Sequence, residues 1–309
     1  MELFILGFLL AAIRSASILL LASLGEVVAE RSGVINIGLE GMMLAGALGG
    51  FLGSYYGGSP WIGVLVAIGV GALFGLIHAF MSVTLGVDQI VTGLALNLAS
   101  LGATGFILKL TFGRVTVPPQ AASFPFIKVP LLSKLPYLGP LLFSHTPLIY
   151  LALILVPLLW FVLFKTSAGL KLRAVGEHPL TADARGVNVF LVRYIGTIFG
   201  GAMAGLAGVQ LSLGELSVFT ENMTAGRGFI ALASVILGKW NPFGVLGATL
   251  LFGAADVAQL RLQAIGLNVP QYFLLMVPYV ITILVLAGAV GRANPPMALG
   301  VPYMKGAKV

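Results

Sequence analysis

An all-α protein that crosses a membrane many times is predicted by three observations. Of 309 residues, 59% are hydrophobic and 9% are charged, against about 45–50% and 25% in soluble domains. The mean hydropathy is +1.05, and a water-soluble fold of this length would still leave roughly a quarter of its unfolded surface exposed, so a soluble globule is excluded. Apolar runs such as Leu148 to Phe164 do not alternate, as the strands of a membrane barrel must. Helices then remain as the way to satisfy the backbone in lipid.

A helical span needs about 20 mostly apolar residues. Nine candidates follow in order: 5–24, 34–55, 60–83, 88–109, 147–164, 191–213, 226–238, 242–262 and 271–290, so about eight to ten spans are expected. The N-terminus has no basic region ahead of its apolar run and reads as a retained span rather than a signal peptide. The seventh candidate is short and holds Gly226 and Gly228, the marks of a broken or re-entrant element.

Segment 111–146 carries Pro118, Pro119, Pro125, Pro130, Pro136 and Pro140. These deny a continuous helix, and the apolar residues between them suit an interfacial segment on the outer surface. Segment 166–190 is charged, and within it Pro179 to Arg185, closed by Gly186, has the Pro-first, Gly-last order of a short helix. With that segment in the cytoplasm, Lys165, Lys171, Arg173, Arg185, Arg193, Arg31, Lys239, Arg292, Lys305 and Lys308 lie inside. Six basic residues lie outside and Arg14 falls within the first span. The bias places the N-terminus out and the C-terminus in, and its net charge of +7 suits anionic lipid rather than nucleic acid.

Ser23-Leu-Gly-Glu26 recurs as Ser212-Leu-Gly-Glu215, and Pro60-Trp-Ile-Gly-Val-Leu65 is echoed by Pro242-Phe-Gly-Val-Leu246. The third and eighth spans run in opposite directions, which makes this an inverted-topology repeat. The chain therefore reads as one membrane domain, 1–309, with halves 1–146 and 147–290, a cytoplasmic loop 166–190 and a tail 291–309. Glycines at fourth-residue spacing, Gly46 and Gly50, Gly71 and Gly75, Gly201 and Gly205, suit close packing of membrane helices.

The chemistry available is narrow. The chain has no Cys, so thiolate metal sites and Cys nucleophiles are excluded; His78, His145 and His178 stand far apart, which argues against a metal site. No P-loop exists, because Gly238-Lys239 is followed by Trp240 and the glycine required five places earlier is Ala233. Charged or amide groups at membrane depth cost about 2.5–3.5 kcal/mol on insertion scales, so they should face other helices or a wet path. On that ground Asn36, Glu40, Asn97, Gln210 and Asp256 are candidates to line a substrate pathway, with interhelical hydrogen bonding the alternative role for each.

The run Gly25-Glu-Val-Val-Ala-Glu-Arg-Ser-Gly-Val-Ile-Asn-Ile-Gly-Leu-Glu-Gly-Met-Met-Leu-Ala-Gly46 closely resembles the N-terminal signature of ABC importer permeases for simple sugars, nucleosides and branched-chain amino acids. Gly169-Leu-Lys-Leu-Arg-Ala-Val-Gly-Glu-His-Pro179 is similar to that family's coupling segment, with His178 where Asn is common. Leu135-Pro-Tyr-Leu-Gly-Pro-Leu-Leu-Phe143 resembles its nucleoside and simple-sugar branch. The resemblance covers nearly the whole chain. It implies a non-enzymatic permease subunit of a bacterial plasma (inner) membrane importer, moving nucleosides or related small polar solutes. It further implies a second, paralogous permease, cytoplasmic ATPase subunits that bind ATP and Mg, an extracytoplasmic binding protein, and no cofactor in this chain. Gly176, Glu177, Pro179, Ala182 and Gly186 are the expected ATPase-coupling residues. A sugar or branched-chain amino-acid permease is the alternative within the family, and a secondary carrier or channel acting alone is the alternative outside it.

Overall fold

The computed structural model describes residues 2–113, 118–128, 138–264 and 294–304, with a few isolated positions between 265 and 293. Eleven helices are described: α1 (Glu2–Arg31), α2 (Leu39–Gly57), α3 (Pro60–Ala79), α4 (Gln89–Phe112), α5 (Leu138–Phe143), α6 (Pro147–Lys165), α7 (Ser167–Glu177), α8 (Pro179–Ala184), α9 (Val189–Val209), α10 (Arg227–Leu237) and α11 (Pro242–Ala264). Wider π-helical turns extend α3 over Phe80–Thr84 and α9 over Gln210–Leu216. Among the described residues six helices are long and apolar enough to cross a membrane: α1, extended α3, α4, α6, extended α9 and α11.

Capping residues set several boundaries. Asp88 accepts from the Ile90 and Val91 N–H groups at the start of α4, and Asn188 accepts from Leu191 N–H at the start of α9. Each replaces a missing intrahelical partner. Pro60, Pro147 and Pro179 open their helices, where no amide donor is needed.

Several expectations are corrected. The first helix runs on to Arg31, so its charged end stays helical. The second candidate span does not begin at residue 34: residues 32–38 form a turn with Gly33 at φ 94°, and α2 starts at Leu39. The seventh is an 11-residue helix, about 16 Å long and too short to span. The ninth, 271–290, lies outside the described residues except at isolated positions.

Helices α1, α2 and α3 pack around α9. At the contacts a Cβ on Gly46 would collide with Gly205, and one on Gly71 with the Gly201 carbonyl, so the fourth-residue glycines do bring backbones together. α9 lies antiparallel to α1: Gly33 and Ser32 sit beside Arg193 and Gly196, while Gly25 sits beside Gly200 and Met203. Leu94, Leu98, Leu101, Phe106 and Leu110 leave an exposed apolar surface on α4.

The proline-rich segment does not simply lie on the surface. Residues 127–128 pair antiparallel with 144–145. The chain before them turns inward, where Ala121 and Phe124 N–H donate to the Ser217 and Leu213 carbonyls at 3.0 and 3.4 Å. Ser54 Oγ donates to the Ala122 carbonyl at 2.7 Å, and Phe124 is buried beside Trp61.

Candidate functional site

The segment from Ser23 to Gly46 is a junction in which most polar side chains hold a piece of backbone from another part of the chain. Ser23 Oγ donates to the Ala231 carbonyl of α10 at 3.0 Å. Glu26 Oε1 accepts from Asn36 N–H at 2.9 Å, and Gln89 Oε1 accepts from Ile35 N–H at 2.7 Å. His78 Nε2 donates to the Ile35 carbonyl at 2.9 Å. The turn at 32–38 therefore has two amides and a carbonyl satisfied by side chains from α1, α4 and α3, the condition under which irregular backbone survives inside a membrane protein. Glu30 accepts a short hydrogen bond from Trp240 Nε1, and Arg31 Nε donates to the Trp240 carbonyl.

Glu40 and Asn97 complete this junction. Glu40 Oε1 and Oε2 accept from the N–H groups of Gly226 and Gly228 at 2.8 and 2.6 Å. Its carboxylate thus fills both acceptor roles at the positive N-terminus of α10. A Cβ on Gly228 would meet Glu40 backbone atoms at 2.5 Å. Asn97 Oδ1 accepts from Gly41 N–H at 2.8 Å, while its Nδ2 donates to the Ile37 carbonyl at 2.9 Å.

The charged loop folds as the hairpin α7–α8, and it is strapped to the junction by the tail. Ala298 N–H donates to the Gly176 carbonyl at 2.9 Å, and Gly300 N–H to the Gly33 carbonyl at 3.2 Å. Met297 N–H donates to Glu177 Oε2 at 3.2 Å. Arg193, with no exposed surface, donates through Nη1 to the Val301 carbonyl at 2.8 Å. Tyr303 packs on Phe190. Gly176 is buried so tightly that a Cβ would strike the Arg31 carbonyl, and Ala182 is buried as well. These two fit the hairpin to the bundle. Leu170, Lys171, His178, Leu180 and Arg185 present the outer surface, where a 310 Å³ groove opens between α7 and α8. Glu177 and Pro179 are half-buried at its bend, and Gly186, at φ 81°, ends α8.

Near the middle of α1, at Ala11 to Ser15, lies a charged cavity of 270 Å³. Arg14 and Ser15 enter it from α1, Glu215 from the π-helical end of α9, Arg227 from α10, Asp256 from α11, and Phe126 from the inward turn of the proline-rich segment. Ser15 Oγ donates to Asp256 Oδ2 at 2.7 Å, and Arg227 Nη2 reaches the same oxygen at 3.5 Å. The Arg14 guanidinium lies 4.7 Å from the Phe126 ring centre. Nearby, burial pushes the His145 imidazole below its usual pKa and Arg14 adds repulsion, while the Leu141 carbonyl that accepts from Nε2 opposes them.

The five pathway candidates therefore separate. Asn36, Glu40 and Asn97 meet at the junction, where their hydrogen bonds go to protein. Gln210, fully buried, makes long contacts of 3.4 Å to Thr146 and Ser17. Asp256 alone of the five lines the cavity. Reasoning on sequence missed Phe126, Glu215 and Arg227 as its partners. A signal for Glu215 was present, since it ends the second copy of the Ser-Leu-Gly-Glu repeat.

The family model described as "Branched-chain amino acid transport system / permease component" matches residues 8–286. The guanosine ABC transporter permease protein NupQ of Bacillus subtilis (strain 168) is 43% identical over 302 residues, covering 94% of each chain. The putative glucose ABC transporter permease protein TsgC13 of Haloferax volcanii is 40% identical, over 97% of this chain and 96% of that one. The nucleoside ABC transporter permease protein NupC of Lactococcus lactis subsp. cremoris (strain MG1363) is 39% identical over 93% of each. With a family match over most of its length and relatives aligned almost end to end, the chain belongs to the branched-chain amino acid transport system permease component family.

Proposed function

We propose that this chain is the membrane subunit through which an ATP-driven importer of the plasma membrane moves nucleosides into the cell. The likeness to NupQ, 43% identical along 94% of both chains, carries the reading, and the likeness to NupC points to the same substrate class. The geometry supplies a coupling route. A cytoplasmic ATPase that binds ATP and Mg would engage the outer surface of α7–α8. The strap 297–301 and buried Gly176 tie that hairpin to the turn at Gly33. Glu40 then ties the helix leaving that turn to α10. A push on the hairpin thus reaches two membrane elements without passing through a flexible linker. A second, paralogous permease would complete the membrane channel, and an extracytoplasmic binding protein would deliver solute from outside.

Deleting the gene and measuring uptake of labelled guanosine, adenosine and uridine tests the substrate, with glucose, ribose and leucine in parallel. Loss of nucleoside uptake alone is expected. Loss of glucose uptake alone would favour the second reading, which rests on the 40% identity to TsgC13. Replacing Glu177 and Pro179 together should abolish ATP-dependent uptake or co-purification of the ATPase; unchanged coupling would place the contact elsewhere.

A further inference from the structure

Resting on the nucleoside reading, we propose that the charged cavity beside Arg14 and Ser15 of α1 is a nucleoside-binding station. The base packs against the Arg14–Phe126 pair, and the Asp256 and Glu215 carboxylates accept from the ribose hydroxyls.

The contrast with Glu40 carries the argument. Glu40 is a structural carboxylate, and both of its oxygens are filled by backbone N–H groups at 2.8 and 2.6 Å. The cavity groups are not saturated in this way. Asp256 has one short hydrogen bond, from Ser15, and a long single-point contact to Arg227 at 3.5 Å. Glu215 faces the cavity within electrostatic reach of Arg227, Asp256 and Arg14. Arg14 Nε is buried without a hydrogen-bond partner. Four charged groups with acceptor and donor capacity to spare, around 270 Å³ of space, form a polar site of nearly ligand size, since small-molecule pockets run from about 300 Å³ upward. The backbone under Glu215 is π-helical and ends in Ser217 at φ 59°; wide turns of this kind occur often at functional sites.

The chemistry of the lining selects the ligand. Two guanidinium groups balance two carboxylates, so the cavity favours a solute without net charge. A phosphate would face both carboxylates. Carboxylates accept from vicinal hydroxyls, and a planar guanidinium beside an aromatic ring offers a stacking surface for a base. An aliphatic amino acid would leave that surface unused.

The test is photolabelling of the intact transporter in membranes with radiolabelled 8-azidoadenosine, followed by peptide mapping. Label is expected within 118–128 or 214–227, displaced by adenosine and guanosine but not by adenosine monophosphate or leucine. Phe126→Ala should reduce labelling about tenfold while Phe126→Tyr retains it, as loss of one stacking contact predicts. Glu215→Gln should raise the competing concentration of adenosine more than that of deoxyadenosine, because one ribose hydroxyl is already absent there. Lys109→Gln, which breaks only a surface ion pair to Glu221, should change nothing. Label mapped elsewhere, or unaltered by both Phe126→Ala and Glu215→Gln, overturns the proposal. If nucleoside uptake depends on the chain while label ignores the cavity variants, only this assignment falls. If glucose or leucine displaces the label, the cavity stands as a site and the nucleoside reading falls.

Discussion

The tetrapeptide Ser-Leu-Gly-Glu is used twice in this protein, and the two uses differ in how completely their polar groups are engaged. At Ser23–Glu26 the hydroxyl bonds to α10, the glycine admits α9, and one carboxylate oxygen holds Asn36 in the turn before α2, the other being buried without a partner. At Ser212–Glu215 the buried Ser212 hydroxyl has no partner, and Glu215 opens into the charged cavity. Around the first copy, contacts run through backbone amides, which have few alternative arrangements. Around the second the Leu213 carbonyl still takes a backbone amide, from Phe124, but Glu215 sits among long charged side chains, which can exchange partners at small cost. The first copy builds a fixed joint between helices, and the second forms part of an open polar wall.

Substitutions can sharpen or break this contrast. The largest effect is expected at Glu40. Glu40→Ala leaves two buried α10 amides without their acceptor, and at about 1.5–3 kcal/mol for each charge-assisted bond it should cost at least ~3 kcal/mol, read by thermal unfolding in detergent. Gly176→Val forces a side chain against the Arg31 carbonyl. Overpacking of that kind costs about 1–3 kcal/mol, and ATP-dependent uptake should fall further than stability accounts for. Asp256→Asn should behave in the opposite way. Its ion pair is partly exposed, with side chains at 25% and 23%, so stability should change by less than about 1 kcal/mol while uptake drops about tenfold, the loss of roughly 1.4 kcal/mol of solute binding. If Asp256→Asn destabilises as much as Glu40→Ala, the cavity is structural and the contrast fails.

The smallest effect is at His145. Its folded pKa lies below the ordinary value because burial disfavours the imidazolium. The unfolded chain therefore binds the proton more readily, and stability is full above pH ~6.5 and declines as pH falls below it. Unfolding measured at pH 7.5 and 5.5 should show that decline, and His145→Gln should flatten it.

Much of this was legible before any coordinates. The spans at 60–83, 147–164 and 242–262 coincide closely with helices because twenty apolar residues have one stable arrangement in lipid. The shortness of the seventh element showed in Gly226 and Gly228, and α8 showed in Pro179 and Gly186. The roles of the buried polar residues were not legible. Glu40 and Asp256 look alike along the chain, each a carboxylate amid apolar neighbours. What separates them is whether a helix terminus, 186 positions away for Glu40, arrives to fill both oxygens.

Read as a string, then, the chain specifies its solvent, most of its helices, its family and the charged segment that folds as α7–α8, all of which depend on local composition and on motifs a few dozen residues long. Tertiary structure alone decides that the turn at 32–38 is held by three different helices, that the tail straps the α7–α8 hairpin, and that Phe126 reaches a cavity shared by α1, α9, α10 and α11. These are pairings between groups far apart in sequence. Desolvation favours a partner for each buried polar atom, but the chain order does not say which one, nor which atoms, such as Arg14 Nε and the Ser212 hydroxyl, are left without one.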